Sequence, residues 1–496
     1  MAKNKVLINK TKQIVTAGLV SVCGLGLMAQ KNQKPNILLI LADDLGYMDC
    51  GFTGNKMFET PNIDALAKKG IVFNKAYAAA GNCAPSRAGL LSGCYSPRTG
   101  VYAVNSTTRG PIKEMRLVPV PNNTELNGSF VTMAEALKAQ GYTTGLFGKW
   151  HLGYTETTKP EAQGFDVYFD PRKDNPNPKR NVPNDPKSIF TLTEAAIKFM
   201  NSNKGKPTFT YLAHHAIHSS LESRPESLEK FVKKGVDKKL QLYAACLYDL
   251  DAGVGKIMDF LKTSGLDQNT LVIFTSDNGA TQQSSQEPLR GNKGCYYEGG
   301  IREPFIAVWP NKIKPGTEQN TPIINIDLYP TFLAAAGNSA IQPDGENLLP
   351  LFKGETETTK RDKIFWHFPG YLDAPVRRGR DPVFRTRPVS VIHQGDWKLH
   401  LYHEEWLLDG GRAGLATNRA VELYNLKDDL GERHDLAQSH PGKRDELLSD
   451  LLKWMGSVKA VLPTERNPGY DPAKPATGAK GGKKRAGPVA KTDKDE

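Results

Sequence analysis

The run "NILLILA" (36–42) is continuous and apolar, the pattern of a strand covered on both faces in a parallel sheet. Helix signals follow it. Thr60 and Pro61 open a helix with Ile63, Leu66 and Ala67 on one face, Gly70 stops it, and "IVF" resumes a strand. The rhythm continues: "VTMAEALKAQGY" predicts a helix with a glycine stop, Lys239–Lys262 a long helix, and "TTGLFG", "TFTYLA" and "TLVIFTS" predict strands. Strand and helix alternate, which predicts an α/β fold. Beyond about Gly354 the pieces shorten. "RPVSVIHQGDWKLHLY" and "VELYNLKDD" read as short strands, and an amphipathic helix closes over Lys443–Lys459. A catalytic-sized domain over 31–355 and a smaller C-terminal α+β subdomain over 356–465 are expected.

What leaves the strand ends carries more chemistry than the strands. "NILLILA" delivers Asp43 and Asp44, "TTGLFG" delivers Lys149, Trp150 and His151, "TFTYLA" delivers His214, His215 and His218, and "TLVIFTS" delivers Asp277 and Asn278. Open parallel sheets bind ligands at the carboxyl edge of their strands, so these residues are expected to converge. Three carboxylates and an amide suit a hard divalent cation, Ca²⁺ or Mg²⁺, although a single acid pair at a strand end often only caps the next helix. Lys149 and His151 alternate on the Gly-bounded turn "GKWHLG" and would grip an anion. Lys293 lies in "RGNKGCYYEGG", where glycines let a loop wrap closely around a ligand. In "HHAIHS" at most two histidines are expected to work, with His214 the bystander.

Charge changes the picture less than its total of +12 suggests. The first thirty residues contribute +4 and residues 471–496 contribute +3, so the body is only mildly basic and gives no nucleic-acid signature. Lys3, Lys5, Lys10 and Lys12 precede an uncharged, mostly apolar run from Ile14 to Ala29, the pattern of a signal peptide over 1–30. Export, to the periplasm or beyond, is therefore expected. That run is short for a membrane span and nothing else is apolar enough to be one. Cys23 invites lipidation, but Val22 stands where a small residue is usual and argues against it. The Gly-, Ala-, Pro- and Lys-rich end, 466–496, is expected to be a disordered basic tail.

Removing Cys23 leaves five cysteines, an odd number for an exported chain. Cys83 is the one in a chemically suggestive place. "PSRAGLLSG" predicts a helix with Pro85 in its first turn and Gly93 at its stop, which puts Cys83 at the helix N-terminus, where partial positive charge favours a thiolate or another anion. From the residues alone two readings of Cys83 stand, an unpaired buried cysteine and a cysteine nucleophile near cations and a metal.

The segment "CAPSRAGLLSG" resembles the signature of the formylglycine-dependent sulfatases of the alkaline phosphatase superfamily. The resemblance extends in order through "LLILADDLGYMDCG", "TPNIDALAKKGIVFNKAYA", "GYTTGLFGKWHLG", "HHAIHS", "FTSDNGA" and "GNKGCYYEGGIREPF". It implies an alkaline-phosphatase-like, mostly parallel mixed sheet flanked by helices. It further implies oxidation of Cys83 to formylglycine (3-oxoalanine) by a formylglycine-generating or anaerobic maturase enzyme. One hydroxyl of the hydrated aldehyde would attack sulfur, and the second would release sulfate on collapse.

On the same resemblance, Asp43, Asp44, Asp277, Asn278 and the modified Cys83 hold one Ca²⁺, Arg87 steadies residue 83, and Lys149 and Lys293 bind sulfate oxygens. His218 is the general acid and His151 the partner that deprotonates the diol. Two departures occur in "HHAIHS": isoleucine replaces a frequent proline, and His215 stands where asparagine is common. The substrate expected is a sulfated polysaccharide or oligosaccharide, with His215, Arg109, Arg385, Arg387 and His393 as candidate sugar contacts. Rival readings are a phosphonate monoester or phosphodiester hydrolase of the same superfamily and a non-catalytic binder of sulfated glycans. Pairing among Cys50, Cys94, Cys246 and Cys295 stays open.

Overall fold

The computed structural model describes residues 34–172, 182–338 and 344–473. The expected signal peptide with Cys23, and the part of the expected tail (466–496) from residue 474 onward, lie outside them; residues 466–473 are described, and Asn467 Nδ2 donates to the Ile112 and Met115 carbonyls at 2.8 Å.

Strands β1 (Asn36–Ala42), β2 (Ile71–Phe73), β3 (Thr143–Gly148), β4 (Val167–Phe169), β5 (Thr208–Ala213), β6 (Thr270–Ser276), β7 (Ile306–Val308) and β8 (Thr317–Gln319) form one eight-stranded sheet. Their order is β8-β2-β7-β6-β1-β5-β3-β4. All pairs are parallel except those of β7, which runs against both β2 and β6. The sheet is thus mixed and mostly parallel, as expected. The three-residue strands β4, β7 and β8 are too short to show a period in sequence.

Both faces of β1 are used. Ile37, Leu39 and Leu41 enter one core with Leu90 and Leu91 of helix α2 (Cys83–Ser92). Leu38, Ile40 and Ala42 enter the other with α1 (Pro61–Lys68), α3 (Ile189–Ser202) and α4 (Lys238–Ser264), through Ile63, Leu192 and Leu250 among others. Each fully buried leucine or isoleucine contributes about 1.5–3 kcal/mol, which explains why no position in "NILLILA" after Asn36 is polar.

Beyond these lies a second, antiparallel sheet. It is ordered β9 (Lys363–Phe368), β10 (Val389–Gln394), β11 (Trp397–Tyr402) and β12 (Val421–Asn425), and helix α5 (Pro441–Ser457) covers it with Leu447, Leu448 and Leu451. Trp366, Val389 and Val391 pack instead on Tyr77, Ile324 and Ile326 of the main body, and the Trp366 indole donates to the Ala78 carbonyl at 2.7 Å. Fully buried Lys398 sits 2.9 Å from Glu298 and 3.0 Å from Glu432, so the two parts share a buried charge cluster.

The register is what positions a site. Ala42 lies beside Ser276, Leu41 beside Ala213, and Gly148 beside Ala213. The carboxyl ends of β3, β5, β1 and β6 therefore stand in one row.

Candidate active site

Each strand end turns sharply into the site. Asp44 follows β1 in the left-handed region, φ +64°, a conformation Asp tolerates better than most side chains. Its amide donates to Asp277 Oδ1 at 3.2 Å, and the next amide, of Leu45, donates to Ser276 Oγ at 3.0 Å. β1 and β6 thus lock one another's terminal acids in place. At the end of β3, Gly148 has φ +108°, and a Cβ there would stand 1.9 Å from the Ala213 carbonyl oxygen, so only glycine fits. The turn it starts presents Lys149, while the Trp150 indole pins it to the Gly153 carbonyl at 2.7 Å. His151 completes the turn with φ +65°.

Helix α2 begins at Cys83, and all ten of its residues are buried. Arg87, one turn on, lies on the same face as Cys83. Its guanidinium donates to Asp277 Oδ2 from Nε at 2.9 Å, forms a second contact there at 2.8 Å, and donates to the Lys149 carbonyl at 2.8 Å. Ser86 Oγ accepts from Asn325 Nδ2 at 2.8 Å, anchoring the helix from behind. The loop carrying Lys293 is laid against this region: the Gly294 amide donates to the Gly81 carbonyl at 2.7 Å and the Lys293 amide to Ala280 at 2.8 Å.

The side chains then meet. Lys149 Nζ is 2.9 Å from Asp43 Oδ2, Lys293 Nζ is 2.9 Å from Asp44 Oδ1, and Asn278 Nδ2 donates to Asp44 Oδ1 at 2.8 Å. His218 Nε2 lies 3.7 Å from Asp44 Oδ2, while its Nδ1 meets the Ser219 carbonyl at 2.6 Å; a carbonyl only accepts, so Nδ1 carries the proton. Ligand atoms of Asp43, Cys83 and Asp277 lie within 4.8 Å of one another. Asp43 Oδ1 and Asn278 Oδ1 are buried and have no hydrogen-bond partner among the described residues.

The electrostatics follow from crowding. Burial would raise the Asp43 carboxyl, but Lys149, His218, Arg87 and Lys293 together hold it well below the usual carboxylate range. Asp277 goes the other way, pushed up by burial and by the Asp43 charge. Burial and neighbouring Lys293 push His218 down, leaving it neutral at pH 7. Burial opposes the charge on Lys293, but Asp44 overcomes it and holds the ammonium charged. The cluster can bind an anionic ester, hold a hard cation on its carboxylate side, and place a residue-83 nucleophile between the two.

The structure brings Asp43, Asp44, Lys149, His218, Asp277, Asn278, Lys293 and the start of α2 together at the strand ends, and the rim differs from the sequence expectation. His215 is brought close, but its Nε2 is held at 2.9 Å by Asp170, which the sequence reading missed; Asp170 directly follows β4, so the strand-end argument finds it once that strand is recognised. His214 is fully buried and pushed down to about 3 by burial and His215. Arg109 is paired with Asp373 at 2.8 Å, and Arg385 lies against Gly294, next to Lys293. Arg387 turns away to Asp381 and Glu404, and His393 is buried on the Tyr77 ring at 5.3 Å between centroids, so neither is brought to the site. Cys50, Cys94, Cys246 and Cys295 are buried free thiols rather than disulfide partners.

A mostly parallel α/β sheet with a buried cluster of cations and carboxylates at its strand ends has the architecture of a ligand site for an anionic group. The family model described as Sulfatase matches residues 35–338, and one described as N-sulphoglucosamine sulphohydrolase, C-terminal, matches 291–408. The chain is 32% identical to a Sulfatase of Formosa agariphila, over 87% of this chain and 89% of that one. It is 31% identical to Arylsulfatase A of Homo sapiens, over 89% and 92%. The solved structure of Ps i-CgsB, also known in complex with k-i-k-neocarrahexaose, superposes with a TM-score of 0.68 at 29% identity, covering 87% of this chain and 95% of that one. The chain therefore belongs to the sulfatase family, whose members are sulfuric ester hydrolases.

Proposed function

We propose that the protein is an exported sulfatase that removes sulfate from a polysaccharide or oligosaccharide, through a formylglycine made from Cys83 and a bound calcium ion. One observation carries the reading: three carboxylates, three cations and the helix-terminal Cys83 meet in one buried cluster at the strand ends. The two unsatisfied oxygens, Asp43 Oδ1 and Asn278 Oδ1, fit a hard cation, and the all-oxygen donors of Asp43, Asp44, Asp277 and Asn278 favour calcium over zinc. When bound, the ion screens the sulfate charge and lowers the pKa of the nucleophile. A formylglycine at position 83, held by Arg87 and the carboxylates, would supply a hydrated aldehyde as nucleophile, able to take the sulfuryl group as the S–O bond to the alcohol breaks and to give it up as sulfate on returning to the aldehyde.

The chain's own groups do the rest. Lys149 and Lys293, paired in the cluster with Asp43 and Asp44, lie where they can turn to the sulfate oxygens on which charge grows. Arg87 fixes α2 to Asp277 and to the Lys149 turn, keeping residue 83 and the acids in register. His218 Nε2 faces the pocket and takes up a proton when an anionic ester arrives, then passes it to the leaving oxygen. His151, on its own turn beside Lys149, is assigned deprotonation at residue 83. A sulfated carbohydrate substrate is supported by Ps i-CgsB, solved with a neocarrahexaose, and by the rim where Arg109, Asp373 and Arg385 meet. The test joins mass spectrometry of the peptide spanning Cys83, after expression with a maturase, to sulfate release from a panel of sulfated glycans, with phosphate and phosphonate esters alongside. Full activity with unmodified Cys83, or faster turnover of the phosphorus esters, refutes the reading.

A further inference from the structure

The opposite edge of the main sheet holds a cleft of about 770 Å³ that the catalytic reading does not use. It opens at the start of β6, around Thr270 and Val272, whereas the site follows the other end of that strand. At about 3.3 Å per residue the two lie on the order of 20 Å apart. Six lysines line it, from four separate stretches of chain: Lys68 and Lys69 at the end of α1, Lys262 near the end of α4, Lys312 and Lys314 after β7, and Lys353. Asp267 is the one acid in the lining. Lys353 meets Glu355 at 3.6 Å, but among the described residues the other five lysines make no ion pair. The chain as a whole has 65 basic and 53 acidic residues, so six against one is a local concentration of charge.

The floor is aliphatic, with Met258, Leu261, Val308, Ile313 and Pro315. Lysine stems lie over such a surface while their ammonium groups stay in water, giving an apolar trough edged with positive charge. Its volume is that of a ligand cleft. Its concavity suits a chain better than the flat face of a membrane, and the spread of its lysines exceeds what one small anion can engage.

We propose that this cleft is a second binding site for a sulfated polysaccharide chain, holding the polymer by its sulfates and packing sugar C–H faces on the aliphatic floor. The choice of sulfated glycan among flexible polyanions rests on the substrate reading above. The cleft acts as an anchor and takes no part in bond breaking.

Labelled dextran sulfate, titrated into full-length Cys83→Ala protein with and without Lys262→Glu, Lys312→Glu and Lys314→Glu combined, tests this. The triple variant is expected to bind at least tenfold more weakly, with a shallower salt dependence, while neutral dextran binds neither protein. In the Cys83-containing, matured enzyme the same triple change is expected to leave turnover of a small aryl sulfate within twofold. The corresponding glutamine triple keeps the test open if charge reversal impairs folding. Dextran sulfate affinity unchanged within twofold overturns the proposal. So does loss of binding to phosphatidylglycerol vesicles or to a single-stranded oligonucleotide equal to or greater than the loss for dextran sulfate. Failure of the wild-type enzyme to release sulfate from any ester would sink the catalytic reading and leave the dextran sulfate result standing.

Discussion

Arg87→Met should destabilise the whole strand-end cluster, because it removes one of three cations facing three buried carboxylates. The guanidinium makes two contacts to Asp277 Oδ2, at 2.8 and 2.9 Å, and one donation to the Lys149 carbonyl at 2.8 Å, and its side chain is fully buried. Removing one partner of a buried ion pair costs about 3–5 kcal/mol, since the abandoned charge stays desolvated. At about 2.1 cal/mol/K per residue, a chain of this length melts about 1 °C lower per kcal/mol, so the loss reads as about 3–5 °C. Arg87→Lys keeps the charge but cannot span Asp277 and the Lys149 carbonyl together, and should fall between. Differential scanning calorimetry in chelator, with no cation to substitute for the lost charge, is the assay. A Met variant melting within about 1 °C of the parent, or Met and Lys variants melting together, would refute the charge-balance account.

The other predictions concern chemistry, strain and pH. Cys83→Ala and Cys83→Ser should both lose turnover of sulfate esters, the serine variant at least in a host that matures only cysteine; residual activity of either near the parent's would remove residue 83 from the reaction. Chelation should abolish turnover, and Asn278→Ala should raise the calcium concentration for half-maximal activity, read by titrating calcium into stripped enzyme. His218→Ala should slow esters with poor leaving groups by about 10²–10⁴ and activated aryl sulfates much less, read as a steeper leaving-group dependence of kcat/KM. Gly148→Ala should fail to fold or lose more than about 3 kcal/mol, because its Cβ meets backbone rather than a movable side chain.

Buried His367 and His393 are each held down to about 4 by burial. The unfolded chain binds protons there first, so the stability these two contribute is present above about pH 6.5 and is lost as pH falls toward 4. Melting temperature against pH checks this, with phenylalanine replacements expected to flatten the slope.

The α/β class, the strands "NILLILA", "TTGLFG", "TFTYLA" and "TLVIFTS", and the helix starting at Cys83 were legible in the residues. Apolar runs and glycine or proline punctuation are local signals, and in these segments packing agrees with local preference. The same pattern also placed the acids, lysines and histidines at strand ends, because in a parallel sheet that edge is where side chains leave the core.

Which of them touch is a matter of long-range packing. Nothing local pairs Arg87 with Asp277, turns Arg387 toward Glu404, buries His393 on Tyr77, or brings Asp170 to His215. Those contacts depend on strand order and register, and on three-residue strands such as β4 and β7 that leave no period to read. The lysine cleft is the extreme case: its charges come from four distant stretches, each ordinary as sequence, and only the folded sheet edge gathers them into one field.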